Sequence, residues 1–218
     1  MHQQYDLIVF DWDGTLMDSA GAIVASIQGA CQDLGLAVPS DRASRHIIGL
    51  GLTEAIAHLL PSLPVADYPK LVDHYRHHFL GLDANIPLFE GAERLVQDLH
   101  QAGFLLAVAT GKSRRGLDRV LEQTGLGPYF HGTRCADECF SKPHPEMLQQ
   151  LMEELGATRQ RTLMIGDTSH DLQMAQNAGV AAVAVSYGAH PHDELLTHAP
   201  LACLDQMGAL EQWLLANA

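Results

Sequence analysis

The sequence predicts an α/β protein whose core is a doubly wound parallel sheet interrupted by an inserted helical cap subdomain, and three observations carry that prediction. Short apolar runs at Tyr5 to Phe10, Phe104 to Ala109, Thr162 to Ile165 and Val180 to Val185 are each followed by a turn containing Gly or Asp. Helical stretches usually come next, which is the pattern of buried parallel strands joined by right-handed crossovers. One interval, Asp18 to Asn85, breaks the alternation and contains no convincing buried strand.

Taken in order, the run from Tyr5 supplies the first strand, and the chain then leaves the core. The interval that follows reads as helices broken near Leu36 to Pro39, Gly49 to Gly51 and Pro61 to Pro64, and it returns near Ile86 to Phe89. The expected division is a discontinuous core of residues 1–16 and 87–218, with residues 17–86 inserted. Three helices are legible after the insertion. Gly91 to Gln101 stops at Gly103, Arg114 to Gln123 at Gly125 and Glu146 to Leu155 at Gly156, each glycine suiting a left-handed C-terminal cap.

Composition removes several function classes. A chain of 218 residues with 47% hydrophobic residues can bury a core, but 13 Lys and Arg against 26 Asp and Glu leave a formal charge of −13. Such a chain repels phosphodiester backbones, so nucleic acid is not an expected partner. The uncharged apolar runs fall short of the ~20 residues that cross a bilayer, so membrane insertion is not expected either. Cys31, Cys135, Cys139 and Cys203 are too few and scattered for a disulfide framework. With no basic then apolar leader at the N-terminus, the reading is a cytoplasmic, thiol-reduced protein.

The chemistry concentrates at strand ends. The first strand runs into Asp11-Trp12-Asp13-Gly14-Thr15-Leu16, and ligands of open parallel sheets bind beyond the carboxyl ends of strands. Asp11 and Asp13 share one side of an extended chain, where two like charges require a cation or a proton. Asp-Gly is also an ordinary turn dipeptide. A second pair, Asp167 and Asp171, follows Thr162 to Ile165, and its spacing of four places both carboxylates on one helical face if the helix begins at once. Asp167 reads alternatively as a helix cap, which accounts for one carboxylate and not for four. An all-oxygen cluster suits Mg²⁺ better than Zn²⁺.

Groups able to hold an anion sit nearby in the pattern. Phe104 to Ala109 ends in Thr110-Gly111-Lys112-Ser113, where a hydroxyl, free backbone N–H groups and a helix N-terminus can meet a phosphate; the same residues also make an ordinary strand-to-helix turn with Ser113 as cap. Lys142 stands in Ser141-Lys142-Pro143-His144-Pro145, whose prolines stiffen the mount of one ammonium group. In isolation it reads as a surface lysine.

Together these segments resemble the haloacid dehalogenase superfamily of phosphatases, and the insertion resembles the cap of its phosphoglycolate phosphatase and β-phosphoglucomutase branch. The carrying residues are the run Asp11 to Ser19, Thr110, Lys142, and Asp167 with Asp171. The resemblance implies a Rossmann-like core, Mg²⁺ as cofactor and a small phosphorylated metabolite as substrate. It implies Asp11 as nucleophile and Asp13 as acid and base. The metal ligands would be Asp11, the Asp13 backbone carbonyl and Asp167, with Asp171 acting through water or orienting Lys142. Thr110, Gly111 and Lys142 would hold the phosphoryl oxygens. Asp13 argues for phosphate esters, since the dehalogenase branch lacks that second carboxylate. Trp12 departs from the apolar residue many relatives carry, and Gly111-Lys112 replaces a common Asn.

The resemblance places specificity in the cap, and Arg45 to Glu54 is the expected loop, with Arg45, Gly49 and Gly51 as candidates beside Lys112. The preferred readings are a helix-terminal surface residue for Arg45 and a solvated lysine for Lys112. His74, His77 and His78 have metal-compatible spacing but read as a packed or solvated face; Cys135 and Cys139 read as ordinary thiols. Asp18 and Ser19 are expected to cap the first inserted helix. The leading function is hydrolysis by a monomer or homodimer. The rivals are a phosphosugar mutase and a receiver-like signalling protein, the latter disfavoured by the insertion and by Asp13.

Overall fold

The computed structural model describes residues 4–83 and 86–218, so Asn85, the last residue of the interval expected to lack a strand, lies outside the described residues. Every residue of β1 (Leu7–Phe10) is buried, because both faces of the strand are covered. Ile8 and Phe10 join one apolar layer, built with α5 (Ala92–Gln101), α6 (Arg114–Thr124) and α10 (Met207–Asn217). Leu7 and Val9 point the other way, onto α7 (Glu146–Leu155) and α8 (Ser169–Ala178). Strand periodicity thus divides one apolar run between two helical layers, as a doubly wound sheet requires.

The remaining strands are β2 (Leu105–Thr110), β3 (Gly132–Cys135), β4 (Thr162–Gly166), β5 (Ala181–Val185) and β6 (Cys203–Leu204). All pair in parallel in the order β3-β2-β1-β4-β5-β6. The chain builds outward from β1 on one side, then returns to build outward on the other. The crevice between β1 and β4 is therefore the topological switch point, the place where such sheets bind ligands. β3 and β6 carry no apolar run that sequence reasoning finds. β3 is Gly-Thr-Arg-Cys, half-exposed in its middle, and β6 is two residues at the sheet edge.

Between β1 and α5 lie α1 (Ala20–Asp33), α2 (Asp41–His46), α3 (Leu52–Leu59) and α4 (Tyr68–Asp83). Their breaks fall at the expected Gly and Pro positions. Ile27, Ala30, Cys31, Ile56 and Leu71 form an apolar centre of their own. A smaller cluster of Ile23, Val24, Ile48 and Phe79 includes Ala189, so these helices also seat against the segment after β5. Gly125 and Gly156 are left-handed C-caps as expected. Among the described residues no helix is long and apolar enough to cross a membrane.

Candidate active site

Asp11 follows β1 directly and is fully buried. Its Oδ1 accepts a hydrogen bond from Lys142 Nζ at 2.7 Å, while its Oδ2 has no hydrogen-bond partner among the described residues. Lys142, 1% exposed, is a core residue and not the surface lysine that its sequence position alone suggests. Its ammonium also lies 2.6 Å from Asp171 Oδ1. Two carboxylates within hydrogen-bond reach outweigh the burial that disfavours its charge, so Lys142 stays protonated.

Asp167 and Asp171 do not share a helical face as the spacing suggests. Thr168 is the N-cap of α8, so Asp167 precedes the helix and Asp171 is its third residue. A capping box explains this: Thr168 Oγ1 accepts from the Asp171 amide, and Asp171 Oδ2 accepts from the Thr168 amide at 3.1 Å and hydroxyl at 2.7 Å. One Asp171 oxygen therefore fixes the helix start, and the other faces Lys142. Asp167 is held by Thr15 Oγ1 at 2.8 Å and by the Ala189 amide at 2.7 Å. A Cβ on Gly14 or on Gly188 would stand 2.2 Å from Asp167 Oδ2, so both positions must be glycine for the backbone to close around this carboxylate; Gly14 also has a φ of +86°.

One ligand atom each from Asp11, Asp167 and Asp171 falls within 4.8 Å of the other two. An orphaned buried oxygen on Asp11 within an all-carboxylate triad fits a hard divalent cation such as Mg²⁺. Burial drives Asp11 well above the usual carboxylate range, against the pull of Lys142. Burial, with the charge of Asp171, pushes Asp167 up to about 7.

The sign of the resulting pH dependence follows directly. Asp167 holds its proton up to about pH 7 in the folded chain, against an ordinary value of 3.8. Between those values the folded state binds more protons, so stability without metal falls as pH rises. The expected loss is on the order of a few kcal/mol. Denaturant titrations in EDTA at pH 5 and pH 8, compared with Asp167→Asn, check this: wild type should lose stability relative to the variant, and Mg²⁺ should restore it. A difference independent of pH would contradict it.

Asp13 is held apart from the triad. Its carboxylate accepts from Lys112 Nζ at 2.8 and 3.0 Å and from Ser19 Oγ at 2.7 Å. This corrects two expectations. Lys112 is not solvated, since its side chain is 8% exposed and its ammonium sits 5.0 Å over the Phe79 ring of α4. Ser19 occupies the N-cap position of α1 but makes no side-chain cap bond there, because its hydroxyl is spent on Asp13. The two carboxylates after β1 thus each have a lysine from a distant segment.

Thr110 ends β2, fully buried, and its Oγ1 accepts from the Lys112 amide. A Cβ on Gly111 would approach the Leu50 and Gly49 carbonyl oxygens to 2.5 and 2.6 Å. Gly111 therefore makes room for the loop from the inserted helices. Gly49 lies against Thr168, and the Gly51 amide donates to Ser141 Oγ at 2.7 Å. Gly111→Ala is expected to lift this loop and raise KM about tenfold with a smaller change in kcat; an unchanged KM in steady-state assays would contradict the packing argument.

Arg45 is not placed with the carboxylates. It lines an open cleft of about 1130 Å³ between α2 and residues 186–194. His74 and His78 both contact Asp33 of α1, at 3.1 and 2.8 Å, so their partner is a carboxylate from another helix. Cys135 and Cys139 are free thiols, raised by burial to about 12 and about 11. Sequence reasoning missed Thr15, Ser19, Gly188 and Ala189 as site residues. Gly188 follows an apolar strand, and that strand-then-glycine pattern was the available signal.

A buried carboxylate, a buried ammonium and a carboxylate triad thus meet at the switch point of the sheet, where a hydrolase of this architecture places its substrate. The haloacid dehalogenase-like hydrolase family model matches residues 8–185, and the chain belongs to that family. It is 34% identical over 191 residues to a phosphoglycolate phosphatase of Agrobacterium fabrum, with 84% of this chain and 81% of that protein covered. It is 32% identical over 212 residues to a 5'-nucleotidase of Pseudomonas aeruginosa, with 96% and 95% covered. The crystal structure of a hydrolase from Pseudomonas syringae shares the fold, with a TM-score of 0.89, 21% identity, and 97% and 98% of the two chains covered.

Proposed function

We propose that this chain is a Mg²⁺-dependent phosphomonoester hydrolase of phosphoglycolate phosphatase type, acting on a small phosphorylated metabolite through an aspartyl-phosphate at Asp11. The observation that carries the reading is the Asp11 carboxylate, buried at the switch point with Oδ1 on Lys142 and Oδ2 without a hydrogen-bond partner among the described residues. Asp11, the Asp13 backbone carbonyl and Asp167 would hold Mg²⁺, with Asp171 positioned to aim Lys142. When bound, the ion neutralises charge on the phosphoryl oxygens.

Asp11 attacks phosphorus, and Asp13 gives a proton to the departing alkoxide oxygen. Asp13 then takes a proton from the water that cleaves the acyl-phosphate. Lys142, Thr110 and the Gly111 amide hold the phosphoryl oxygens. Residues 17–86 act as the cap, whose loop at Gly49 to Gly51 closes over Gly111 and excludes bulk water from the attack. The work required is mainly alignment and charge neutralisation, which fixed carboxylates and one fixed ammonium supply.

Lys112 sharpens the substrate class. Its ammonium is on Asp13, which must carry a proton to act as the acid. An anionic group on the leaving alcohol draws Lys112 away and frees Asp13. Lys112→Ala is therefore expected to raise KM about tenfold for a carboxylated phosphate ester and to change it little for a neutral aryl phosphate; equal effects on both would contradict this role. The reading as a whole is tested by screening phosphoglycolate, sugar phosphates, nucleoside monophosphates and pyrophosphate for Mg²⁺-dependent phosphate release. A β-phosphoglucomutase-like reaction would instead give an isomer with no free phosphate, and a receiver-like role a long-lived acyl-phosphate.

A further inference from the structure

The seam between α2 and α9 (His192–Leu196) holds a second convergence of ligating atoms, built from residues the phosphate chemistry leaves unused. His46 is the last residue of α2, His190 stands just before α9, and Glu194 lies within it. Glu194 Oε1 is 3.5 Å from His46 Nδ1 and 3.1 Å from His190 Nδ1. One ligating atom from each of the three lies within 4.8 Å of the others. The two imidazole rings stack at 5.1 Å with 13° between their planes.

The atoms that meet here are rich in lone pairs and poor in protons. The Ser169 amide donates to His190 Nδ1 at 3.0 Å, so that nitrogen carries a lone pair. Ser169 Oγ has a single hydrogen to share between His190 Nδ1 and Glu194 Oε1, each 3.1 Å away. His190 Nδ1 and Glu194 Oε1 therefore face one another as acceptors, an arrangement a cation relieves. The spacing suits one ion. Ligand bonds of 2.0–2.1 Å in a tetrahedron place neighbouring donor atoms about 3.3 Å apart, and the two measured separations lie on either side of that value.

We propose that His46, His190 and Glu194 form a transition-metal site, separate from the Asp11 triad, that takes Zn²⁺ and ties the end of α2 to the segment entering α9. Two imidazoles and one carboxylate favour Zn²⁺ and its neighbours over Mg²⁺. All three residues line the open cleft of about 1130 Å³, which gives the ion an entry path and leaves a fourth position for water or a small anion. Arg42 and Arg45 on the same cleft suit an anion in that position. Because His46 comes from the inserted helices and the other two residues from the segment after β5, the bound ion holds those parts together and slows their separation. The ion competes with the Ser169 amide for His190 Nδ1, so micromolar affinity is expected in place of the tighter binding of structural zinc.

The ion is not needed for folding. His170 Nε2 and His190 Nε2 lie 2.7 and 3.2 Å from the His46 carbonyl oxygen, which already seats the end of α2. His46 and Glu194 side chains are 40% and 30% exposed, so their substitution leaves the core intact. Co²⁺ titrated into the full chain under excess Mg²⁺ should develop the intense visible bands of a histidine-bound ion of low coordination number. The bands should saturate at one ion per chain and be displaced by Zn²⁺. H46A and E194Q should each weaken binding roughly tenfold to a hundredfold or more, and an Asp11→Asn variant shown folded by circular dichroism should retain it. Amide exchange across residues 41–50 should slow with Zn²⁺ in wild type and not in H46A. Bands of undiminished strength in both H46A and E194Q, their loss in the folded Asp11→Asn variant, or the absence of any Co²⁺ uptake under excess Mg²⁺ would overturn the assignment.

Discussion

Asp11→Asn is expected to lower Mg²⁺-dependent phosphate release by about 10⁴-fold or more, leaving substrate affinity within a few fold. The amide keeps the shape of the carboxylate but has no anionic oxygen to attack phosphorus, and the adjoining Lys142 contact is retained in weakened form. Because Asp11 is fully buried at the end of β1, no neighbouring carboxylate can swing into its place. Asp171 is committed to the capping box and to Lys142, and Asp167 to Thr15 and Ala189. Removing one of the carboxylates proposed to hold Mg²⁺ should also weaken its binding, measurable as a smaller Mg²⁺-induced rise in melting temperature. Substantial turnover in this variant would remove Asp11 from the role of nucleophile.

Lys142→Met produces the second large effect, and it acts on both stability and activity. Lys142 is the cation closest to Asp11 and Asp171, at 2.7 and 2.6 Å, and all three side chains are sealed from solvent. Truncating one partner of a buried ionic cluster costs about 3–5 kcal/mol because charge is left uncompensated. The loss should be largest above pH 7 in EDTA and shrink at pH 5, where Asp11, pushed up by burial, takes up a proton. Added Mg²⁺ should recover part of the stability but little of the activity, since it cannot replace the ammonium on the phosphoryl oxygens. Chemical denaturation at the two pH values decides the matter; an equal loss at both would show that the methionine simply packs badly.

Much of the fold was readable because burial imposes composition. A strand covered on both faces must be largely apolar, and β1, β2, β4 and β5 are, with Thr110 and Thr162 confined to strand ends. β3 and β6 escaped because edge strands need no such run: Thr133 and Arg134 are half-exposed, and β6 is two residues long. At the site, the carboxylates announced themselves by following strands, but their partners did not. Lys142 sits 131 residues from Asp11, and Lys112 sits 99 from Asp13, so only the folded chain reveals that each acid has its own base. The spacing of Asp167 and Asp171 suggested a shared helical face, and the Thr168 cap displaced that reading by starting the helix at Ser169, two residues past Asp167. The histidines of the α2 seam were invisible for the same reason: they are scattered over positions 46, 170 and 190 and meet only through the docking of α2.

Asp11 is proposed to carry the phosphoryl group between substrate and water. Enzyme turning over an aryl phosphate with Mg²⁺ can be quenched in acid, reduced with borohydride and mapped by peptide mass spectrometry. Conversion of Asp11 alone to homoserine, in proportion to the turnover rate before the quench, is the predicted result. Turnover with Asp11 unmodified at every quench time, or label on a different carboxylate, would contradict it.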